Sequence, residues 1–506
     1  MHTNSSHPPT AQNIINLLEG IIVWPIEYPV MITGLSSDNR DTKPGDLFIS
    51  YTGPKIERPN FIADAVKKGV IAVLKESDDE TATFEKITAS DRVVPIYTIP
   101  KLKEKVGIIA ARFFQNPSKQ LKIIGITGTN GKTSCSQFIA RILNQTYRRC
   151  GVIGTLGYGV PDELTSGALT TPAPIALQSI LADFKKQGMT EVAMEVSSHS
   201  LVQHRVAGLS FEAAVFTNLT RDHLDYHGDM ENYAQAKRLL FMMPHLKKAI
   251  INADDAFGQQ LLTEFKTQLT CYAYTTADKI SVVPTTYVKH LKLHPKGFTA
   301  QIFSPWGESE FNSNLLGRFN VSNLLAVLTT LCALGSSFQE TIRLLEKLPT
   351  VPGRMQSFGG GKQPLVIVDY AHTPDALEKA LTALREHCHQ KLWCIFGCGG
   401  NRDQGKRAEM AQIAEKYSDH VIVTDDNPRF ENYKFIMDDI LKGFINPAKV
   451  TVEHDRKQAI AYAMQHAKTD DCILVAGKGH ETYQQIGDIK IPFSDAEEVQ
   501  KLLQEH

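Results

Sequence analysis

Short apolar runs recur along the chain, and most of them close on Gly, Asp, Asn or Thr. Runs of that length bounded by turn residues read as strands buried on both faces. Near the N-terminus, the turn KPGD (Lys43 to Asp46) precedes the strand LFISY. The helix-like FIADAVKKG stops at Gly69, and the strand IAVL follows. The polar FFQNPSKQ (Phe113 to Gln120) reads as a linker. Beyond it, KIIGIT runs straight into a glycine-rich loop and the helical SCSQFIARIL. EVAMEV (Glu191 to Val196), AAVFTNL (Ala213 to Leu219) and AIINAD (Ala249 to Asp254) continue the strand series. The segment from Val282 to Asn314 is rich in β-formers and reads as an antiparallel addition. From near Pro352, four more runs (LVIVDYAH, LWCIFGCGG, HVIVTDDNPR and CILVAGKGHE) alternate with helix-like segments.

Strands alternating with helices predict an α/β protein with mostly parallel sheets. At roughly 100–200 residues per domain, 506 residues predict three domains. We draw them as a small N-terminal α/β domain over 1–117, a central P-loop parallel-sheet domain over 118–351, and a Rossmann-like C-terminal domain over 352–506. In open α/β sheets, ligands bind at the carboxyl ends of the strands, so the four polar strand ends of the last domain are its natural site.

Hydrophobic residues make up 42% of the chain and charged residues 22%, enough for an ordinary core in each domain. The net charge of −1 gives no broad field with which to hold nucleic acid or an anionic membrane. No apolar run approaches the roughly 18–20 residues that span a bilayer. The polar start MHTNSSHPPT lacks the pattern of a signal peptide, and eight scattered cysteines fit a reducing compartment. We expect a cytoplasmic monomer. His387, Cys388, His389, Cys394 and Cys398 cluster in sequence, but without a CxxC pair and with Cys394 inside an apolar run they read as core and loop rather than a zinc site.

The segment GITGTNGKTS (Gly125 to Ser134) joins a buried strand to a helix. Backbone amides of Gly128, Thr129, Asn130 and Gly131 can surround a phosphate there, and the helix N-terminus adds positive potential. Lys132 suits the β- and γ-phosphates of ATP, Thr133 suits Mg²⁺, and Ser134 closes the loop. The common P-loop has glycine six residues before the lysine; this chain has Ile126 there, and Gly125 comes one residue too early.

TGTNGKT resembles the ATP loop of the Mur ligase superfamily, which also contains folylpolyglutamate synthetases. EVSSH (Glu195 to His199), TNLTRDHLDYHG (Thr217 to Gly228), YAQAKRLLF, GRFNVSN, DYAHTPDAL, DNPR and GKGHE fit the same superfamily in order over nearly the whole chain. From the residues alone, Glu195 reads as a magnesium ligand or a helix cap, His223 as a metal-site or surface residue, and Lys237 as a solvated helical lysine. The resemblance implies instead that Glu195, His223 and Lys237 serve the metal site, with Lys237 and His223 joining Lys132 as catalytic groups and Lys237 carrying a CO₂-derived carbamate. Asn320 and Asn323 read equally as helix caps or adenine contacts, and the resemblance favours adenine. It also places Arg354 and Asp369 near ATP, and His372 as a weaker candidate, brought in by closure of the third domain over the second.

For the acceptor substrate, the resemblance implies that Thr170, Thr171, Ser197, Gln203 and Arg205 contact a UDP-MurNAc-dipeptide. Its uridine end would be held near Ser37 and Asn39. Here the chain departs from the family pattern, with Asn39 where serine is usual and Glu57-Arg58 where Asp-Gly is usual. In DNPR, Asp426, Asn427, Pro428 and Arg429 end a strand. Arg429 offers a planar fork for a carboxylate, Arg402 a second cation, and Gly477 and Glu481 a seat for an ammonium group. Within the superfamily, DNPR marks ligases that add meso-diaminopimelate, whose distal carboxylate is absent from lysine. A lysine-adding or folylpolyglutamate-type ligase is the alternative. The implied reaction is ATP-dependent amide formation on a D-glutamate γ-carboxylate through an acyl phosphate, a step of peptidoglycan biosynthesis.

Overall fold

The computed structural model of the protein describes residues 11–22, 28–51, 57–77, 79–89 and 92–505. It forms two compact units, 1–251 with 255–271, and 252–254 with 272–506.

The first unit holds a two-stranded ladder, Gln12–Asn13 with Met31–Ile32, and two larger sheets. The N-terminal one has the order Gly34–Ser36, Asp46–Ser50, Ala72–Glu76, Arg92–Ile99, Thr83–Ala89; the first four are parallel and the last is antiparallel. Helices Arg58–Lys67 and Leu102–Phe113 cover it, with Ile62, Val66, Val106 and Ile109 facing its Val, Ile and Leu side chains. FFQNPSKQ is not a free linker. Its Ser118 is buried, and the hydroxyl accepts from the Ser210 amide at 3.2 Å. That bond ties the end of the N-terminal sheet to the next one.

The first seven strands of the second sheet run Glu163–Thr165, Gly157–Val160, Cys150–Gly154, Glu191–Glu195, Lys122–Thr127, Phe211–Phe216, Lys248–Asn252. The last five of these are parallel and nearly free of polar residues, as expected of strands covered on both faces. Ile126 is a fully buried member of the strand Lys122–Thr127, in register with Glu195 and Val215. The strand therefore runs one residue further than in a common P-loop, which explains the missing glycine. Gly125 belongs to packing, because a Cβ there would collide with the Phe211 ring.

In the second unit, Thr285–His294, Gly297–Ser304 and Gly307–Ser313 form the expected antiparallel meander. Helix Arg318–Ala333 follows. A six-stranded sheet then has the order Gln356–Gly359, Leu365–Asp369, Cys472–Ala476, Leu392–Phe396, His420–Val423, Thr451–Val452, parallel except at its first strand. Helices Pro374–Arg385, Gly405–Tyr417, Tyr433–Leu441 and Arg456–His466 cover its faces. The loops 370–373, 397–404, 424–432 and 477–482 thus gather at the carboxyl ends of its four long strands.

All eight cysteines are buried free thiols. Cys394 and Cys398 lie in the apolar core, and the buried His387 ring accepts from the Gly317 amide at 2.9 Å and meets the His294 carbonyl at 2.7 Å. These residues are core and loop, as their sequence context indicated. No helix among the described residues is long and apolar enough to cross a membrane.

Candidate active site

The phosphate loop turns because Gly128 and Gly131 adopt φ of +146° and +85°, and a Cβ at Gly128 would overlap the Thr217 hydroxyl. The TNLT segment after the strand Phe211–Phe216 staples it. The Thr129 amide donates to Asn218 O (2.8 Å), the Asn130 amide to Asn218 Oδ1 (3.0 Å), and Thr217 Oγ1 to Asn130 O (2.6 Å). Thr129 Oγ1 also meets the Tyr233 hydroxyl at 3.2 Å. Lys132 folds back, its Nζ donating to Gly128 O at 2.8 Å and Thr129 O at 2.9 Å. Ser134 is buried at the helix start.

Glu195 ends its strand 1% exposed. Its carboxylate accepts from the Thr155 amide (2.8 Å), Thr155 Oγ1 (3.1 Å) and Thr133 Oγ1 (3.1 Å). Two of the four residues expected at the metal, Thr133 and Glu195, are therefore in direct contact, and Glu195 is not a helix cap. Lys237 is not solvated either. It is 1% exposed, with Nζ 4.1 Å from the centroid of the Tyr233 ring. Burial, then the charge of Lys132, pushes its amine well below the usual lysine range; Asp222 and Asp255 offset this only in part. His223 has φ of +53° at the start of a short helix, with its ring 4.8 Å from that of His199. Burial holds its pKa down, Asp222 opposes, and both Lys132 and Lys237 lower it further.

The acceptor-side residues of this unit form one network. Thr171 Oγ1 donates to Glu195 O (2.9 Å) and accepts from the Ser197 amide (3.1 Å), while Thr170 and Thr155 share a hydroxyl contact of 3.2 Å. Arg205 donates to Thr171 O at 2.9 Å and to Gln203 Oε1 at 2.9 Å. Burial depresses its pKa, with the Tyr226 and Tyr51 hydroxyls opposing. Tyr51 in turn takes a hydrogen bond from Ser37 and lies near Arg205, so Ser37 joins the group. Asn39 bonds elsewhere, to Asp64 at 3.4 Å and, through its carbonyl, to Lys68 at 2.6 Å. Arg58 faces Glu76 at 3.6 Å, an ion pair that Asp-Gly at 57–58 would not make.

In the second unit, Asn320 and Asn323 are buried at the start of their helix. Asn320 Nδ2 donates to Leu316 O (2.8 Å) and Asn323 Nδ2 to Asn320 Oδ1 (3.2 Å). Asp369 accepts from the amides of Met355 (2.7 Å) and Ala371 (2.9 Å), and burial raises its pKa against the pull of Arg354. The Arg354 guanidinium lies 4.9 Å from the Tyr370 ring centroid, and His372 Nδ1 meets the Tyr370 carbonyl at 2.8 Å. At the other strand ends, Asn427 Nδ2 donates to Glu481 (2.8 Å), and Asn427 Oδ1 accepts from the Gln485 amide (2.8 Å). Asp426 is buried against Gly477, where a Cβ would crowd its carboxylate. Arg429 follows Pro428 with φ of +51°, and its Nη1 donates to Gly400 O at 2.9 Å. Arg402 is exposed on the facing loop.

Sequence reasoning missed several residues that the structure builds into these sites. Lys478 is fully buried inside GKGHE and bonds Glu481 (3.0 Å) and Asn427 (3.2 Å); its place within a recognised motif was the available signal. Arg456 forms a fully buried pair with Asp495 and donates to Ala476 O (2.9 Å), and nothing in its helical context marks it. Thr155 and Asn218 hold Glu195 and the loop, yet read as ordinary turn residues.

Comparison with known proteins agrees with this arrangement. Residues 126–331 match the Mur ligase middle domain, and 353–479 the glutamate ligase domain of Mur ligases. The chain is 49% identical over 478 residues to the UDP-N-acetylmuramoyl-L-alanyl-D-glutamate–2,6-diaminopimelate ligase of Coxiella burnetii, covering 94% of this chain and 96% of the relative. It is 47% identical to the enzyme of the same name from Pseudomonas aeruginosa, covering 94% and 96%. A solved structure of a ligase of that name superposes with a TM-score of 0.73 at 35% identity, covering 98% of this chain and all of the other. With its phosphate loop, buried Glu195–Thr133 contact and DNPR and GKGHE strand ends all in place, the chain belongs to the Mur ligase family.

Proposed function

We propose that this protein is an ATP-dependent ligase that adds meso-diaminopimelate to the D-glutamate γ-carboxylate of UDP-MurNAc-L-Ala-D-Glu, in the cytoplasmic stage of peptidoglycan synthesis. The observation that carries the substrate choice is the strand-end loop in which Arg429, held in a left-handed conformation with its guanidinium on Gly400 O, follows the Asn427 that bonds Glu481 and Lys478. Arg429, with Arg402 across from it, suits the distal carboxylate, and Glu481 and the loop at Gly477 suit an ammonium. Lysine has no such carboxylate to offer the arginine. The relatives' shared name points the same way.

A carboxylate is a poor electrophile toward an amine. Transfer of the ATP γ-phosphoryl group makes it an acyl phosphate; the amine nitrogen then attacks the acyl carbon, and inorganic phosphate leaves from the tetrahedral intermediate. The residues that would position these groups are the loop amides 128–131, Lys132 and Arg354 for the phosphates, Asn320 and Asn323 for the adenine, and Asp369 for the ribose. Thr170, Thr171, Ser197, Gln203, Arg205 and Ser37 would line the path of the muramoyl dipeptide. The first 117 residues take the uridine end, residues 118–351 the ATP, and the remainder the amino acid.

Magnesium fits the donors present. Thr133 and Glu195 supply hard oxygens already in contact, and His223 lies beside Lys237 electrostatically. When bound, the ion screens charge on the phosphoryl oxygens. Among the described residues, no three His, Cys, Asp or Glu side chains form a metal cage. A carbamate on Lys237 would add the missing anion. Its amine is suited to that reaction, because only an unprotonated amine adds to CO₂, and burial shifts its pKa toward the unprotonated form.

The test is phosphate release from ATP in the presence of the UDP-muramoyl dipeptide and each amino acid in turn. Release with meso-diaminopimelate and not with lysine is expected, and Arg429→Ala should raise the KM for diaminopimelate by on the order of 100-fold, the loss of a charge-assisted bidentate contact. Equal turnover of lysine, or an unchanged KM, would overturn the reading.

A further inference from the structure

Arg429 does not set its own position. Its amide donates to Gln485 O (3.0 Å), and its carbonyl accepts from the Gly487 amide (2.7 Å), which fixes the backbone against the hairpin Tyr483–Ile486/Ile489–Pro492. On the other side, the loop 399–402 is zipped to the residues around it. The Gly400 amide donates to Asn427 O (2.9 Å), the Phe430 amide to Asn401 Oδ1 (3.0 Å), and the Asn401 amide to Glu431 Oε2 (3.0 Å). Gly400 is needed, since a Cβ there would press on the Pro428 carbonyl, and a Cβ at Gly399 would push the Arg429 guanidinium aside.

The far end of this zipper is anchored by charge. Glu431 accepts from Arg407 Nη1 and Nη2, both at 2.7 Å. Arg407 projects from helix Gly405–Tyr417 with its side chain fully buried, and it also binds Asp439 at 2.9 Å. A bidentate, desolvated pair fixes orientation as well as distance. The carbonyl that receives Arg429 Nη1, Gly400 O, is one residue from Asn401, whose amide Glu431 holds.

We propose that Glu431, clamped by Arg407, is a positioning residue for Arg429, and that it sets specificity for the second carboxylate of the amino-acid substrate. The proposal rests on the diaminopimelate reading and adds to it the residues that fix the geometry of the selecting arginine. A group displaced by about 1 Å loses roughly 100-fold in effectiveness. Loosening the zipper should therefore weaken diaminopimelate recognition while sparing ATP and the muramoyl dipeptide, whose proposed contacts lie on other residues.

The experiment is steady-state ligation by the full-length enzyme, comparing Glu431→Gln, Asn401→Gly, Arg429→Ala and the double variant Glu431→Gln/Arg429→Ala. Glu431→Gln is expected to raise the KM for diaminopimelate about tenfold, with kcat and the other two KM values within about twofold. Asn401→Gly keeps the positive φ of +52° at no cost and leaves the Arg407 cluster intact. It removes only the Phe430 bond and should act in the same direction by a smaller factor, so it carries the test if Glu431→Gln does not fold. In the Arg429→Ala background, Glu431→Gln should change kcat/KM by less than about twofold, because the residue through which it acts is gone. An unchanged KM, an equal rise for all three substrates, or effects that multiply in the double variant would overturn the positioning role. A wild-type enzyme that does not ligate diaminopimelate would overturn the functional reading itself, and this proposal with it.

Discussion

The phosphate-loop region and the strand-end region of the second unit both bury basic side chains, but they treat the charge in opposite ways. Lys237 is buried over an aromatic ring with the like charge of Lys132 nearby, and its amine is driven toward the neutral form. Lys478, Arg407 and Arg456 are buried as deeply, yet each is matched by a carboxylate at 2.7–3.0 Å. For Arg456, burial opposes the charge but Asp495 prevails, and the guanidinium is held above its ordinary range. Burial alone therefore does not dictate protonation; the partner does. An unmatched buried amine is a nucleophile, whereas a matched buried cation is a fixed strut. On the proposed function, the first region would serve chemistry and the second recognition.

The sharpest way to break this contrast is Lys237→Met, which keeps the bulk and removes the amine. If the amine is the reactive group, turnover should fall by on the order of 10³-fold, the scale for loss of a preorganised electrostatic element. Thermal stability should hold or rise, because an amine whose charged form is disfavoured by burial has been removed. Near-normal ligation by the variant would place Lys237 among the struts.

The counterpart in the other region is Arg456→Met. It strands a fully buried Asp495 and should lower unfolding free energy by about 3–5 kcal/mol, read from denaturant midpoints. Arg456→Met combined with Asp495→Leu should recover most of the loss. A single variant as stable as the wild type would mean that matching is not what keeps these cations in place.

What was legible in the sequence divides along the same line. The alternating apolar runs gave the strands, because buried parallel strands need continuous apolar residues whatever the function. Gly128 and Gly131 were legible because only glycine takes their backbone conformations next to Thr217. The burial of Lys237 was not. Its helix Met230–Arg238 carries polar residues on most positions, and its own spacing reads as a solvated face; only the order of the surrounding motifs pointed elsewhere. Lys478 meets Glu481 only three positions away, inside the GKGHE motif that marks it, but Arg407 and Arg456 were silent for a related reason. A matched buried charge is a property of two distant segments, and Arg407 meets Glu431 and Asp439, 24 and 32 positions away. FFQNPSKQ does link the two sheets, but its anchoring was not legible, because Ser118 is secured by Ser210, 92 positions on.

The smallest effect we expect is also the one most specific to an unmatched amine. Carbamate formation, R–NH₂ + CO₂ → R–NH–COO⁻ + H⁺, draws more on the folded state, in which burial favours the neutral amine, than on the unfolded chain, in which the amine is protonated at neutral pH. It should therefore stabilise the fold by mass action, about 1.4 kcal/mol at ten times the dissociation constant. That corresponds to a Tm rise of roughly 2–4 °C in bicarbonate for a domain of this size, with magnesium and nucleotide held fixed. Lys237→Met should show no rise. The pH dependence carries a fixed sign. Because the folded-state pKa lies well below the unfolded value of 10.5, the unfolded chain binds the extra proton between the two, and stability rises with pH across that window. The stability difference between Lys237→Met and wild type, measured without CO₂, should accordingly shrink as pH rises toward 10.5. Bicarbonate can act in this way only on an amine whose charge has been removed. A wild-type melting curve indifferent to it would put Lys237 in the same class as Lys478 and erase the distinction between the two regions.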